Sequence, residues 1–144
     1  MAGEGIALDA SALLAFLRRE PGWEVVDAAL AERATISIVN LTEVLTKLAE
    51  AGANPRATLA ELERERVIGL VSDAQADVLI HVTPMLPEDA IEAARLRVKT
   101  KPFGLSLGDR VCLATAHRLG APVLTADKRW GDVPNLAVAI LLIR

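Results

Sequence analysis

Short apolar runs alternate with amphipathic stretches along the whole chain. The runs are of strand length and rich in aliphatic or β-branched residues, and between them apolar residues recur at helical spacing. The predicted strands are Ile6–Leu8, Thr35–Val39, Val78–Val82, Pro122–Thr125 and Ala137–Leu142. The predicted helices are Ala12–Arg19, about Glu24–Glu32, Leu41–Ala51, Pro55 to about Val67, Pro87–Val98 and Gly108–Leu119.

This alternation predicts a single α/β domain over residues 1–144. Strands that are separated by helices of these lengths form a parallel sheet with helices on both faces. We therefore predict a three-layer α/β/α sandwich with a mainly parallel sheet. In such sheets the functional crevice lies outside the carboxyl ends of the strands. The residues that follow each strand are thus the first candidates for a site.

Four acidic residues lie at or just after the ends of predicted strands. Asp9 directly follows the first strand, and Asp127 follows the strand that ends at Thr125. Glu43 lies in the first turn of the helix after the second strand, and Asp109 opens the helix that begins near Gly108. If the sheet is parallel, the first three acids face one edge, and Asp109 joins them if its helix also starts there.

A cluster of carboxylates favours a divalent cation. Like charges raise one another's pKa, and a cation removes that cost. Oxygen ligands suit Mg²⁺ or Mn²⁺, and a single cysteine, Cys112, excludes a cysteine-based zinc site. With a phosphate substrate, such an ion can activate water and stabilise the leaving oxygen. The pattern therefore favours phosphodiester hydrolysis over zinc chemistry.

Each acid also has a purely structural explanation. The segments Asn40–Glu43 and Ser106–Asp109 both have the spacing of a capping box. Asp9 could form a turn into a helix that is capped by Ser11, and Asp127 could cap a short turn. The functional hypothesis depends on all four acids meeting at one edge of the sheet.

Composition limits the partners and the location. The net charge is −3, so no bulk positive field attracts nucleic acid. A single cysteine, Cys112, excludes an internal disulfide and fits a reducing, cytoplasmic setting. No apolar stretch approaches the roughly 18 residues of a membrane span, and Met1–Gly5 lacks the features of a secretory signal. We expect no membrane partner.

Local cations could still contact a phosphate backbone. Arg110, Lys128 and Arg129 flank the acidic candidates, and phosphate contacts position a nucleic acid without reading its sequence. A second group of cations lies within Arg95–Lys101. It is explained equally well as a solvated face near a helix C-terminus.

Four segments, taken together, resemble the PIN-domain family. Their order and spacing match over essentially the whole chain, and the length is similar to that of the VapC-type toxins of bacterial and archaeal toxin–antitoxin pairs. The first segment carries the D-x-S context that is common at the first acid of PIN domains. The segments are Leu8–Leu14, Asn40–Val44, Ser106–Ala114 and Leu124–Trp130.

The resemblance implies a PIN-like fold and a Mg²⁺- or Mn²⁺-dependent ribonuclease that cleaves RNA endonucleolytically. It also implies a homodimer, and inhibition by a VapB-like antitoxin whose tail occupies the active-site groove. The hydroxyls of Ser11 and Thr125 would orient a ligand or its water shell. The implied catalytic and metal-binding acids are Asp9, Glu43, Asp109 and Asp127, and the implied supporting residues are Ser11, Thr125 and, as a further acid, Asp132.

Three other function classes are alternatives. A phosphotransfer enzyme that uses Asp9 as its nucleophile would carry a second aspartate where this chain has Ser11. A receiver-type signalling domain would begin with an adjacent acidic pair, and none precedes Asp9. A catalytically silent PIN-like interaction module would be favoured by loss of one or more acids, but all four are present.

Overall fold

Strands and helices alternate along the chain, in a computed structural model that describes residues 5–70 and 77–144. The strands are β1 (Ile6–Leu8), β2 (Ala34–Ser37), β3 (Ile68–Leu70), β4 (Ile80–Thr83), β5 (Val123–Thr125) and β6 (Ile140–Leu142). The helices are α1 (Ala10–Arg18), α2 (Trp23–Ala29), α3 (Ile38–Glu50), α4 (Pro55–Arg64), α5 (Pro87–Thr100) and α6 (Leu107–Leu119). Two 3₁₀ turns cover Lys101–Phe103 and Lys128–Asp132.

The six strands form one sheet in the order β3-β4-β2-β1-β5-β6, and every pair is parallel. β1 lies between β2 and β5, with Leu8 opposite both Ile36 and Leu124. All strands therefore end at the same edge of the sheet. The segments that follow β1, β2 and β5 are neighbours there, which is what brings the candidate acids together.

Each face of the sheet is covered by its own layer of helices. Leu8 and Leu124 belong to a core that also contains buried residues of α1, α2, α3 and α4. The side chains of Ala7 and Val123 point to the opposite face of the sheet, because side chains alternate along a strand. There they pack with buried residues of α5 and α6. Trp130 is fully buried in this second core. The predicted three-layer α/β/α sandwich is confirmed.

Several element boundaries differ from the prediction, and the differences in two regions affect the sheet. The second strand ends at Ser37, and Ile38 and Val39 already form the first turn of α3. α4 ends at Arg64, and the sheet gains β3, which was not predicted. Both errors have a physical cause. β-branched residues favour strands but also occur in the first turn of a helix, and three-residue strands carry almost no periodicity.

No helix in the two described ranges is long and apolar enough to cross a membrane.

Candidate active site

Asp9 is held rigidly at the end of β1. Its Oδ1 accepts hydrogen bonds from the backbone N of Ala12 at 2.9 Å and from Oγ of Ser11 at 2.7 Å. Its Oδ2 accepts one from Oγ1 of Thr125 at 2.6 Å, across the β1–β5 pair. Asp9 is therefore the N-cap of α1. The alternative in which Ser11 caps this helix is wrong, because Ser11 lies inside the first turn.

Ser11 and Thr125 connect Asp9 to the loop after β5. Oγ of Ser11 accepts a hydrogen bond from the backbone N of Ala126 at 2.9 Å, and Oγ1 of Thr125 accepts one from that of Asp127 at 3.0 Å. Each hydroxyl thus bridges Asp9 and the β5 exit. Both predicted supporting hydroxyls contact Asp9 directly, and their role towards a ligand stays a prediction.

Glu43 lies on α3 with its carboxylate against the start of α6. Nδ2 of Asn40 donates to Oε1 of Glu43 at 2.8 Å and to the carbonyl oxygen of Gly108 at 3.0 Å. The predicted capping box Asn40–Glu43 is wrong, because Ser37 caps α3 and accepts from the backbone N of Val39. Glu43 is thus left free of a capping role.

Asp109 combines a capping role with a place in the cluster. Its Oδ2 accepts from the backbone N of Ser106 at 2.9 Å, and its own backbone N donates to Oγ of Ser106 at 3.2 Å. The predicted capping box at α6 is confirmed. The same carboxylate interacts electrostatically with Asp9 and Asp127.

Asp127 follows β5 and pairs with a cation. It caps the 3₁₀ turn Lys128–Asp132, where its Oδ1 accepts from the backbone N of Arg129. Both carboxylate oxygens also accept from the Arg129 guanidinium, with Nε 3.0 Å from Oδ1. Nη1 of Arg129 donates to the carbonyl oxygen of Gly104 at 3.2 Å, so this arginine connects the two loops beside the acids.

The other predicted residues lie around this cluster. Lys128 and Asp132 are exposed at the two ends of the 3₁₀ turn. Arg110 is turned towards α5, where its Nη1 donates to the carbonyl oxygen of Ala93 at 2.8 Å. The roles of Arg110 and Lys128 in binding RNA, and of Asp132 as a further acid, stay predictions.

Burial raises the pKa of Asp9 to about 6, although the hydrogen bonds from Thr125, Ser11 and Ala12 act in the opposite direction. The negative charge of Asp109 contributes to this rise, although less than burial does. This balance is typical of a carboxylate that has lost water but not gained a full counter-charge.

Asp109 and Asp127 have opposite environments. Burial raises the pKa of Asp109, and the charge of Asp127 adds to this effect. Hydrogen bonds from Arg129 lower the pKa of Asp127, which is more exposed. Burial therefore dominates at Asp109, whereas the Arg129 guanidinium dominates at the more exposed Asp127.

Three of the acids lie within electrostatic range of the Cys112 thiol on α6. The thiol is buried and lies 3.7 Å from the carbonyl oxygen of Leu8, at the end of β1. The pKa of this thiol is raised well above its usual value, first by burial and then by three carboxylates. These belong to Asp9, Asp109 and Glu43. The three acids thus all act on one buried thiol, although they follow β1 or belong to α3 and α6.

The donor set fits a hard divalent cation. The cluster offers carboxylate oxygens, which are ligands that such ions prefer. One of these carboxylates is the buried Asp9, whose pKa is raised in part by the charge of Asp109. Arg129 is a positive group that already lies beside Asp127 and Asp109. Within residues 5–70 and 77–144, no group of three or more Asp, Glu, His or Cys side chains is close enough to share a metal ion. A cation would offset the repulsion that acts between these carboxylates.

Sequence reasoning missed the contribution of Asn40 and Gly108. Asn40 and Glu43 are three residues apart on α3, and such pairs lie on the same helix face. The same spacing also fits a capping box, which the sequence predicts here because the β-branched run hides the true start of α3 at Ile38. The contact of Glu43 with Gly108 is between residues remote in sequence, and no local signal reveals it.

The model of the PIN domain family matches residues 6–136. The chain belongs to the PIN domain family. This is a family of nucleases, and PIN nucleases generally use divalent metal ions. The predicted family is thereby confirmed, and the acids Asp9, Glu43, Asp109 and Asp127 all lie within the matched range.

Solved structures of toxin–antitoxin proteins share this PIN fold. A VapBC-5 structure from Mycobacterium tuberculosis is 28% identical with a TM-score of 0.55, and covers 99% of this chain and 98% of that one. VapC20 of the same organism, a toxin that cleaves the sarcin-ricin loop, is 17% identical with a TM-score of 0.69, covering 94% and 99%. DNA-bound VapBC from Salmonella typhimurium is 18% identical with a TM-score of 0.65, covering 97% and 98%. None of the curated proteins compared with the chain matches it.

Proposed function

We propose that this PIN domain is a metal-dependent endoribonuclease that hydrolyses RNA phosphodiester bonds, and that it is the toxin of a toxin–antitoxin pair. The observation that supports the proposal most directly is that Asp9 and the segments that carry Glu43 and Asp127 follow neighbouring parallel strands at one edge of the sheet, with Asp9 and Asp109 in electrostatic contact. Asp127 interacts electrostatically with Asp109 and completes the quartet.

Asp9, Glu43, Asp109 and Asp127 would hold Mg²⁺ or Mn²⁺. A bound ion of this kind polarises a phosphate oxygen and makes water a better nucleophile. The chain contributes the orientation of its ligands. Three hydrogen bonds fix both oxygens of Asp9, so little reorganisation is needed when the ion and the substrate bind.

The more exposed side of the cluster, at Asp127, would receive the RNA backbone. Lys128 is exposed, and Arg129 is anchored to Asp127 with its guanidinium beside the acids. Because the net charge of the chain is −3, binding would rely on a few local phosphate contacts and not on a broad basic surface.

We further propose a homodimer and a VapB-like antitoxin as partners. Structures with this fold include complexes that are named as toxin–antitoxin complexes, such as one from Klebsiella pneumoniae. α5 also exposes Ile91 and Val98, at 58% and 85% of their surface, and a partner subunit would cover such apolar side chains. Co-purification with the product of a neighbouring small reading frame would test the antitoxin.

The alternative of a phosphotransfer enzyme is less well supported by the geometry. Both oxygens of Asp9 accept hydrogen bonds, which lowers the nucleophilicity of its carboxylate. The position where such enzymes carry a second acid is occupied by Ser11, whose hydroxyl donates to Asp9. A catalytically silent module remains the second candidate.

Cleavage of RNA by the purified protein tests the proposal. We expect cleavage that requires Mg²⁺ or Mn²⁺ and stops on chelation, and a loss of more than about 100-fold in Asp9→Asn and Asp109→Asn. Asp27→Asn, which changes an exposed acid of α2, is the matched control and should cleave normally. Full activity in both site variants, or in the presence of a chelator, would overturn the assignment. A wild type that binds antitoxin but cleaves nothing would indicate the silent module.

A further inference from the structure

Asn40 is a buried polar residue between α3 and α6. Only 1% of its surface is exposed. Its Nδ2 donates one hydrogen bond to Oε1 of Glu43 and another to the carbonyl oxygen of Gly108. Both amide protons are therefore used, and together they hold the Glu43 carboxylate against the first turn of α6.

Gly108 provides the surface on which this carboxylate rests. It is buried at the second position of α6, and a Cβ at this position would overlap both carboxylate oxygens of Glu43. Only glycine lets the helix backbone approach a side chain so closely. Glu43 is thus confined by the Asn40 amide and by the bare backbone of α6.

The side-chain oxygen of Asn40 does not stabilise the fold. This oxygen, Oδ1, is buried and has no hydrogen-bond partner among the residues that the structure describes. A buried carbonyl oxygen without a partner destabilises the folded state, so an apolar residue would serve a purely structural purpose at least as well. What the amide supplies is the placement of Glu43.

We propose that Asn40 is a positioning residue that orients the Glu43 carboxylate for ion binding, with Gly108 providing the space. The inference rests on the proposed function, because it takes Glu43 as a ligand. Hydrogen bonds from a second residue to a ligating carboxylate fix its orientation, and their loss typically weakens metal binding by about 10- to 100-fold.

A double-mutant cycle on Mn²⁺ affinity, measured by calorimetric titration, tests the inference. The four proteins are the wild type, Asn40→Ala, Glu43→Gln and the double variant. We expect Asn40→Ala to weaken Mn²⁺ binding about tenfold when Glu43 is present and to have no effect in the Glu43→Gln protein. An equal effect in both backgrounds, or none in either, overturns the positioning role.

Three further variants separate positioning from simple loss of stability. Gly108→Ala leaves Asn40 intact but displaces the Glu43 carboxylate, so it should weaken Mn²⁺ binding as Asn40→Ala does. Gly131→Ala is its control, because a Cβ there would lie 3.8 Å from its nearest neighbour, a side-chain atom of Leu142. Asn54→Ala removes the cap of α4 and should lower the melting temperature while Mn²⁺ binding is unchanged. Weaker Mn²⁺ binding in Asn54→Ala would show that reduced stability alone explains the effect.

The contact itself can be tested without metal. In the metal-free protein, the side-chain amide protons of Asn40 should give resonances that shift when Glu43 is changed to Gln; unchanged resonances overturn the contact. A wild type that binds no Mn²⁺ overturns the proposed function. A wild type that binds Mn²⁺ with an additive cycle overturns the role of Asn40 alone.

Discussion

At the scale of single residues, Asp9 combines a capping role with a candidate catalytic one. Its hydrogen bonds stabilise the carboxylate, yet burial dominates and its pKa is raised to about 6. A purely structural N-cap is usually exposed enough to remain ionised at little cost. The ionised carboxylate of Asp9 therefore lowers the stability of the metal-free folded protein at neutral pH. Functional sites commonly contain residues that destabilise the fold in this way.

Metal-free protein should lose stability as the pH rises from about 4 to 7. The folded-state pKa of Asp9 lies above its unfolded value, so the folded chain binds the extra proton and loses that advantage once the pH exceeds about 6. The raised pKa of Asp109 acts in the same direction, and the lowered pKa of Asp127 acts against it at acidic pH.

The substitution Asp9→Asn should remove most of this dependence and stabilise the metal-free protein at pH 8 by about 2–3 kcal/mol at most. Denaturant unfolding between pH 4 and 8 measures the effect, with Asp27→Asn as the exposed control. A pH slope that Asp9→Asn leaves unchanged would contradict the assignment of the raised pKa.

At the scale of elements, the first turn of α6 does several things at once. Ser106 caps the helix, Gly108 admits the Glu43 carboxylate, and Asp109 both closes the capping box and joins the acids. The structural and functional explanations of Asp109 are therefore not exclusive. The cap determines where the helix begins, and that start places the carboxylate beside Asp9.

Removing the cap should affect stability and activity together. We expect Ser106→Ala to cost about 1 kcal/mol of unfolding free energy and to reduce RNA cleavage, because the backbone N of Asp109 loses the hydroxyl that fixes the start of α6, from which the Asp109 side chain projects. Asn54→Ala, at the cap of α4, should cost a similar amount without changing cleavage. Equal losses of cleavage in both variants would mean that the cap of α6 has no special role in the site.

The boundary between β2 and α3 shows the limit of local patterns. Ile38 and Val39 have β-branched side chains and extend a β-branched run, so the sequence predicts strand. Ser37, which accepts a hydrogen bond from the backbone N of Val39, ends the strand earlier. The shift moves Asn40 from the cap into the helix, which changes its role from capping to holding Glu43.

At the scale of the whole molecule, strand order brings the acids together. β1 lies between β2 and β5, so the chain segments that carry Asp9, Glu43 and Asp127 leave the same edge side by side. α6 packs on the second core of the sheet and contributes Asp109, which interacts electrostatically with Asp127. The carboxylates repel one another in the metal-free protein, and binding of a divalent cation should therefore stabilise the entire fold.

Saturating Mn²⁺ should raise the melting temperature at pH 8 by several degrees. Binding at about 100 times the dissociation constant adds about 2.7 kcal/mol to the folded state, which corresponds to several degrees in a domain of this size. The shift should vanish in Asp9→Asn and should persist in Asp27→Asn. A shift of equal size in all three proteins would point to binding elsewhere on the surface.

The amino-acid sequence alone determined the fold class, the family and the identity of the candidate acids. These depend on local periodicity, on residue types and on motif order, all of which can be read along the chain. Only the tertiary structure decided which polar groups hold those acids. The bonds from Thr125 to Asp9 and from Asn40 to the Gly108 carbonyl join residues far apart in sequence. Such contacts exist only when the strand order and helix packing bring their atoms within hydrogen-bonding distance.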